Sequence, residues 1–305
     1  MNDYVAGLDL GGSLLKAGLY DGRNNLVHET QASTPSGAGP AAILKTMLGC
    51  LRELQRCVPG HAAIVGIGIG SPGLIDAQGR VHGPAVNISG WQGTSLSQMV
   101  TSESGIPSVA GNDVNYAALA EARHRGCDEL AFIALGTGIG GGIVSGGRLL
   151  TGNRGMAAEI GHVVVVPDGR PCGCGQRGCV EQYAGARVIL EDRQGEERTG
   201  STNAAPGGAG SSQGTSLQTA ARMLARAIGY LLSIAAPEVV VIGGGVAERH
   251  PEMIQLVDSA LEKESFPYIR NLTRVEAARL GYRAGMAGAA IAAREARPPR
   301  PAAAG

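Results

Sequence analysis

Residues 155–181 read GMAAEIGHVVVVPDGRPCGCGQRGCVE and bring one imidazole and three thiols within eighteen positions. Three sulfurs and one nitrogen are the ligand set of a closed, tetrahedral Zn²⁺ site. The glycines between the thiols let the chain turn tightly enough to direct all of them at one point. We therefore predict a structural zinc ion that pins this loop, held by His162, Cys172, Cys174 and Cys179.

Two carboxylates, Glu159 and Glu181, bracket the four predicted ligands. A pinned loop would hold these side chains near each other, where they can accept hydrogen bonds from the hydroxyls of a polyol. The alternative is a disulfide that joins Cys172 or Cys174 to Cys179, although nothing else in the sequence indicates secretion. The pattern therefore favours a metal-pinned binding loop.

The overall charge of the chain argues against nucleic-acid and membrane partners. With 305 residues, a net charge of zero and a pI near 7.0, the sequence lacks the basic excess that a broad nucleic-acid or membrane footprint requires. It has no basic start followed by an apolar run and no long apolar stretch, so we expect neither a signal peptide nor a transmembrane helix. The remaining cysteines, Cys50, Cys57 and Cys127, are scattered, which is typical of reduced thiols in the cytoplasm.

An internal repeat organises the chain. Residues 6–23 and 131–148 share one plan at an offset of 125, namely a strand, a Gly-rich turn, a second strand and a second turn. We infer two similar halves that face each other across a cleft, with one Gly-rich hairpin on each side. The small and polar residues of 199–216 predict a mobile loop.

Apolar periodicity predicts the remaining elements. The predicted strands are 5–10, 14–20, one from 26, 63–69, 109–110 and 239–242, and the predicted helices are 40–58, 96–104, 116–125, 217–235, 253–261 and 284–294.

The Gly-rich turns are candidate phosphate sites. Residues 136–141 match the dinucleotide pattern G-x-G-x-x-G, but a strand and a turn follow where that fingerprint requires a helix. The sequence has no Walker A motif either. The remaining use is a nest of backbone N–H groups that binds phosphate, while the simpler alternative is a tight hairpin. Two matched turns and the run Gly243-Gly244-Gly245 favour a nucleotide site.

Two aspartates follow buried strands. Asp9 precedes the first Gly-rich turn, where a carboxylate can hold Mg²⁺ through water beside a triphosphate; the alternative is a turn-forming role. Asp113 follows Asn112 at a strand end and a helix start, which is where ligands meet α/β sheets. We predict that it acts as a helix N-cap, as a catalytic base, or as both.

These motifs resemble those of the ROK family, which comprises bacterial sugar kinases, related repressors and open reading frames. The resemblance extends over residues 4–294. It rests on Asp9-x-Gly11-Gly12-Ser13, Asn112-Asp113, Gly136-Thr137-Gly138-Ile139-Gly140-Gly141-Gly142, Glu159-x-x-His162, Cys172-x-Cys174-Gly175-x-x-Gly178-Cys179-x-Glu181 and Gly243-Gly244-Gly245-Val246. The His-and-three-Cys cluster is more specific than the glycine turns. Ser13 stands where the family usually has Thr, which preserves the hydroxyl.

The resemblance implies an α/β fold, the two-lobed actin-like ATPase (ribonuclease H-like) fold with a central cleft and a zinc-pinned loop. The expected small lobe comprises residues 1–112 with about 288–296, the large lobe comprises 113–287, and residues 297–305 form a disordered tail. We also expect a cytoplasmic homodimer.

The implied activity is that of an ATP-dependent, glucokinase-like hexose kinase. Asp113 is the implied general base, which takes the proton of a sugar hydroxyl, usually the one on C6. The implied sugar-binding residues are Asn87, Asn112, Asp113, Glu159, His162 and Glu181. The implied residues for ATP and Mg²⁺ are Asp9, Gly11, Gly12, Ser13, Thr137, Gly138, Gly140, Gly141, Gly142, Gly243, Gly244 and Gly245.

Other functions remain open on the sequence alone. Within the enzymes, the sugar can be N-acetylmannosamine, N-acetylglucosamine or fructose, and the donor can be polyphosphate. A sugar-responsive repressor of the same family is expected to carry an additional N-terminal helix-turn-helix, whereas here the first predicted strand starts at Val5. A non-catalytic sugar sensor is the last alternative, although Asp113 and both Gly-rich turns are present.

Overall fold

The computed structural model of the protein describes residues 3–83, 85, 88–189 and 216–297, and it contains two five-stranded mixed sheets. The first sheet has the order β3-β2-β1-β4-β5, with β1 (Asp3–Leu10), β2 (Leu14–Tyr20), β3 (Leu26–Ser33), β4 (Ala63–Ser71) and β5 (Ser108–Asn112). The second has the order β10-β9-β6-β7-β8, with β6 (Leu130–Leu135), β7 (Ile139–Ser145), β8 (Arg148–Leu149), β9 (Val239–Gly243) and β10 (Arg274–Ala277).

The two sheets repeat one topology. In the first, β1 pairs antiparallel with β2 and parallel with β4, which pairs parallel with β5. In the second, β6 pairs antiparallel with β7 and parallel with β9, which pairs parallel with β10. The hairpin turns occupy residues 11–13 and 136–138, at an offset of 125. The internal repeat predicted from the sequence is therefore confirmed.

Helices pack against both sheets. They are α1 (Pro40–Arg56), α2 (Leu96–Ser104), α3 (Asp113–Arg125), α4 (Glu181–Ala184), α5 (Ser216–Ala235), α6 (Gly245–Arg249), α7 (Glu252–Glu264), α8 (Pro267–Arg270) and α9 (Ala284–Glu295), with short 3₁₀ turns at Asn153–Gly155, Ile160–His162 and Gly281–Arg283. Helix α1 shows why these segments are helical. Pro40 occupies its first turn, and its buried residues Ile43, Met47, Leu51 and Leu54 recur every three or four positions.

By packing, the chain forms two compact units. Unit 1 contains the described residues of Met1–Gly126, Arg148–Ala157 and Tyr282–Gly305, and unit 2 contains the described residues of Cys127–Gly147 and Ala158–Gly281. Helix α3 belongs to unit 1 because the backbone of Tyr116 lies directly against Gly288 of α9. The boundary between the predicted small and large lobes, placed between residues 112 and 113, stays a prediction.

Each unit has its own apolar core. In unit 1, Leu8, Ile67 and Met47 represent the cluster that joins the first sheet to α1. On the other face of that sheet, a Cβ atom at Gly7 or Gly68 would overlap the backbone of α9, so these glycines permit the helix to lie directly on the strands. In unit 2 the cluster joins the second sheet to α5 and α7.

Several predictions need correction or lie outside the described residues. The helix that we predicted to start near 116 starts at Asp113, and its N-cap is Asn112 rather than Asp113. The elements α4, α6, α8, β8 and β10 were not predicted, because they are too short to show a period. Most of the predicted loop (199–215), the tail residues 298–305 and Asn87 lie outside the described residues. Within the described part of the chain, no helix is both long and apolar enough to span a membrane.

Candidate functional site

The first Gly-rich turn, residues 11–13 of unit 1, is fixed by backbone bonds and by one buried side chain. The Gly11 N–H donates to the Leu14 carbonyl at 2.9 Å. Thr34, which is 8% exposed, donates from Oγ1 to the Gly11 carbonyl at 2.8 Å and from its N–H to the Ser13 carbonyl at 3.0 Å. The turn is thereby pre-organised, which a nest of N–H groups needs in order to bind phosphate.

Asp9 lies two residues before this turn, beside one positively charged side chain and one helix N-terminus. Lys16 Nζ lies 3.2 Å from Asp9 Oδ2, and the ion pair is largely shielded from solvent. A Cβ atom at Gly285, in the first turn of α9, would lie 2.7 Å from the carboxyl carbon of Asp9. The carboxylate therefore lies at the N-terminus of that helix, where a negative charge is favourable. Lys16 was not among the predicted site residues, because its partner lies on the neighbouring strand and the pairing of the two strands is not visible in the sequence.

Asp113 begins α3 at the same edge of the first sheet. Asp9, Gly70 and Gly111 are register partners on adjacent parallel strands, so their carboxyl ends meet at one edge. Strand spacing places the β1 and β5 ends on the order of 10 Å apart. Asn112 Oδ1 caps the helix by accepting from the N–H groups of residues 114 and 115, both at 3.0 Å. The structure thus brings together Asp9, the turn and Asp113 at the edge where ligands bind α/β sheets.

Unit 2 has a matching edge. Ala134 and Gly243 are register partners on the parallel strands β6 and β9, so the turn 136–138 and the run 243–245 follow adjacent strand ends. Gly244 has φ 90°, and a Cβ atom there would lie 2.6 Å from the Leu135 carbonyl. Both the backbone conformation and the close approach therefore require glycine at this position. The predicted nucleotide residues of this half are neighbours in space.

The predicted metal ligands form one cluster in unit 2. The ligand atoms of His162, Cys172, Cys174 and Cys179 all lie within 4.8 Å of one another. Cys174 Sγ lies 3.6 Å from Cys179 Sγ, and Cys172 Sγ lies 3.6 Å from His162 Nδ1. Two atoms bound tetrahedrally to one Zn²⁺ at about 2.3 Å lie roughly 3.8 Å apart, so the donor set fits the ion. All six cysteines are free thiols in the structure, which disagrees with the disulfide alternative.

The local backbone directs the thiols inward. The Cys172 N–H donates to the Gln176 carbonyl at 2.9 Å, which closes a tight turn that contains the second and third ligands, Cys172 and Cys174. The backbone N–H of Gln176 lowers the pKa of the Cys174 thiol, whereas burial raises the pKa of Cys179 to about 12. Gln182 Nε2 lies 3.5 Å from Cys172 Sγ, a contact outside the ligand set that the sequence pattern did not reveal.

The two carboxylates that bracket the cluster are electrostatically coupled. Desolvation raises the pKa of Glu159, His162 lowers it, and Glu181 raises it again. Glu159 is accessible to solvent although protein atoms crowd it, so its carboxylate can be reached by a polar ligand. His162 faces the thiols with Nδ1, which leaves Nε2 for another partner. The sugar-binding candidates of unit 2, Glu159, His162 and Glu181, are therefore close enough to interact electrostatically.

Comparison with known proteins gives consistent matches along the chain. The model of the ROK family matches residues 5–296. A glucokinase of Streptomyces coelicolor is 33% identical over 323 residues, which cover 95% of this chain and 97% of the relative. An N-acetylmannosamine kinase of Escherichia coli is 34% identical over 296 residues, which cover 94% and 97%.

A solved structure matches the fold as well as the sequence. It is the crystal structure of a ROK family glucokinase from Streptomyces griseus in complex with glucose and AMPPNP. The TM-score is 0.76 at 31% sequence identity, and the match covers 96% of this chain and 99% of the other.

Proposed function

Since this chain belongs to the ROK family and has the actin-like ATPase fold of its kinases, we propose that it is an ATP-dependent hexose kinase. The leading acceptor is the 6-hydroxyl of glucose, because glucokinases are among the relatives that match over nearly the whole chain. The observation that carries the proposal is the common edge of the first sheet, where Asp9 and the turn 11–13 lie at the end of β1 and Asp113 follows β5, with β4 between the two strands.

Asp113 is the proposed general base. The hydroxyl oxygen of the sugar attacks the γ-phosphorus of ATP, the bond from that phosphorus to the β-bridging oxygen breaks, and ADP leaves. The hydroxyl proton passes to the Asp113 carboxylate. Such transition states are loose and spread charge over the phosphoryl oxygens, so positioning and electrostatics do most of the work. General-base assistance is typically worth ~10²–10⁴-fold.

Hydrogen bonds to the sugar orient that hydroxyl. The proposed sugar-binding residues besides Asp113 are Asn87, Asn112, Glu159, His162 and Glu181. Carboxylates suit this role because each can accept several hydrogen bonds from adjacent hydroxyls. Asn112 has a second duty as the cap of α3, so it ties the sugar contact to the placement of the base.

Backbone N–H groups of the two Gly-rich turns are proposed to bind the phosphates of ATP. They are Gly11, Gly12 and Ser13 of the first hairpin and Thr137, Gly138, Gly140, Gly141 and Gly142 of the second, with Gly243, Gly244 and Gly245 beside the nucleoside. Fixed N–H dipoles stabilise charge that develops in the transition state. Asp9 would hold Mg²⁺, which neutralises phosphate charge when it is bound.

We also propose that the cluster of His162, Cys172, Cys174 and Cys179 holds a structural Zn²⁺. Four protein ligands leave no open position, so the ion would contribute folding energy rather than chemistry. Its effect on function would be to fix the segment that carries the two glutamates.

The second candidate substrate is N-acetylmannosamine. A kinase for that sugar matches this chain as well as the glucokinases do, at 34% identity. Both reactions use the same base and the same phosphate turns, so the two candidates differ only in the contacts around the second carbon of the sugar.

A cytoplasmic homodimer is part of the proposal. Tyr230 and Ile234 on α5 are 49% and 85% exposed, and they border an apolar groove that Ile160 and Val163 also line. Exposed apolar patches of this kind mark protein interfaces. Light scattering on the purified chain tests the dimer, and a monomer at micromolar concentration would refute it. The cysteines outside the proposed zinc cluster, Cys50, Cys57 and Cys127, form no disulfide, which supports a reducing compartment.

A coupled assay of ADP release tests the proposed function. The purified chain with MgATP is supplied in turn with glucose, N-acetylmannosamine, N-acetylglucosamine and fructose. We expect turnover with glucose, and none with 6-deoxyglucose, which lacks the acceptor hydroxyl. If none of the sugars stimulates ADP release, the chain is not a hexose kinase.

A further inference from the structure

We infer that Glu181 positions the second phosphate turn as well as binding sugar, so that one carboxylate links the acceptor to the donor of the phosphoryl group. Glu181 Oε2 accepts a hydrogen bond from the backbone N–H of Ile139 at 2.9 Å. Ile139 directly follows the turn 136–138. The inference rests on the proposed function, which assigns sugar to Glu181 and phosphate to this turn.

The carboxylate of Glu181 also lies directly against Gly138 of the turn. A Cβ atom at Gly138 would overlap Glu181 Oε2. The backbone of Gly138 is not in the left-handed region, so its conformation does not demand glycine. Glycine is instead required at this position because the Glu181 carboxylate occupies the space of a side chain, so any larger residue would displace the carboxylate from the turn.

The short helix α4, which Glu181 begins, is itself joined to the turn. The Ala186 N–H, just beyond the helix, donates to the Gly136 carbonyl at 3.0 Å. A Cβ atom at Gly185 would lie 3.3 Å from the Thr137 carbonyl. The carboxylate is therefore presented from a rigid base whose distance from the turn is fixed by backbone contacts.

Strand β7, which begins at Ile139 directly after the turn, packs on the segment that carries Glu159. A Cβ atom at Gly161 would overlap the Ile139 carbonyl, and one at Gly141 would lie 2.5 Å from the Ala158 carbonyl. The segment that carries Glu159 contacts this strand through packing, whereas Glu181 accepts a hydrogen bond from the Ile139 N–H through its side chain. The two glutamates thus offer a matched pair, in which both are proposed sugar ligands and one also bonds the turn.

The chemical consequence is a coupling between the two substrates. A carboxylate has about four acceptor positions, so Glu181 can bond the Ile139 N–H and a sugar hydroxyl at once. A sugar that fixes this side chain also fixes the turn that receives the phosphates. Bound sugar therefore raises the affinity for the nucleotide. By linkage, bound nucleotide raises the affinity for sugar by the same factor.

Calorimetric binding to the full chain tests the inference, with Mg-AMPPNP and glucose titrated separately. For Glu181→Ala we expect both dissociation constants to rise, that for Mg-AMPPNP about tenfold, because the turn loses its acceptor. Glu181→Gln keeps an amide oxygen for the Ile139 N–H and removes a charge near the phosphates. Its Mg-AMPPNP affinity should equal or exceed that of the unaltered chain, while glucose binds more weakly. Glu159→Gln should weaken glucose binding alone.

Hydrogen exchange at the Ile139 amide provides a readout that does not depend on kinase activity. Exchange should accelerate in Glu181→Ala and return toward its original rate in Glu181→Gln. Unchanged exchange and unchanged Mg-AMPPNP affinity in Glu181→Ala would overturn the inference. If the unaltered chain binds neither Mg-AMPPNP nor glucose while Ile139 exchange still depends on Glu181, the positioning contact stands and the kinase proposal fails.

Discussion

Asn112 caps helix α3 with its side-chain oxygen, and Asp113 is therefore the first residue inside that helix. The other end of the same amide, Asn112 Nδ2, donates to the Gly73 carbonyl at 3.2 Å. Gly70 lies against Asp113 from β4, where an added Cβ atom would be 3.4 Å from its Cα atom. The position of the proposed base is thus set by one asparagine and by the end of a neighbouring strand.

Replacement of Asn112 should lower both stability and turnover. Asn112→Ala removes the cap, which costs about 1 kcal/mol of folding free energy, and it loosens the first turn that carries Asp113. Asn112→Ser is the matched control, because serine also caps helices but lacks the amide donor. We expect thermal unfolding to show near-complete recovery in the serine variant, while kcat recovers only in part. Equal stability of the alanine variant and the original chain would contradict this role.

Lys16 should matter for the donor rather than for the sugar. Lys16→Met keeps the length of the side chain but leaves the partly buried Asp9 carboxylate without its ammonium partner. The kcat/KM for MgATP should fall roughly ten- to a hundredfold, as expected for loss of a charge-assisted hydrogen bond. Lys45→Met, on the exposed face of α1, is the control and should leave the rate constants unchanged. A loss confined to sugar affinity in Lys16→Met would contradict the assignment.

Metal content tests the zinc proposal. Mass spectrometry of the acid-digested protein should find about one zinc per chain. Cys174→Ser should lose the metal together with thermal stability, because structural zinc contributes folding energy directly. Cys57→Ser, which changes a thiol outside the cluster, should retain both. Absence of zinc from protein produced in zinc-supplemented medium would refute the proposal.

The raised pKa of Glu159 predicts a pH-dependent stability difference. The folded pKa lies above the ordinary value of 4.5, so the folded chain binds this proton more tightly than the unfolded chain. The contribution of Glu159 to stability is thus fully present below that value and is lost as the pH rises through the folded pKa. Glu159→Gln should therefore unfold at a slightly higher temperature than the original chain at pH 7, with the advantage absent at pH 4. The effect should be small because the side chain is accessible to solvent. A lower unfolding temperature for Glu159→Gln at pH 7 would contradict the pKa shift.

The sequence predicted the repeated hairpins and the cluster of candidate metal ligands because both have a fixed spacing along the chain. The offset of 125 between the two hairpins appears again between the last residues of β1 and β6 and between the bounds of β2 and β7. The four soft ligands lie close together in sequence and converge in space. Features with a regular local pattern are therefore readable from one sequence.

The missed features depend on contacts between distant segments. Lys16 gave no signal because its partner is on the neighbouring strand. The bond from Ile139 to Glu181 uses a backbone N–H, which has no signature in the sequence. The cap was assigned to Asp113 instead of Asn112 because both residue types favour that position and only the backbone angles distinguish them.

The most direct test of the account is the turnover of Asp113→Asn with glucose and MgATP, measured together with its glucose affinity. The variant is nearly isosteric and keeps the sheet edge intact, so glucose should bind within severalfold of the original chain. The kcat should fall by ~10²–10⁴-fold, because the amide cannot take the hydroxyl proton. An Asp113→Asn variant that retains the original kcat would show that Asp113 is not the base.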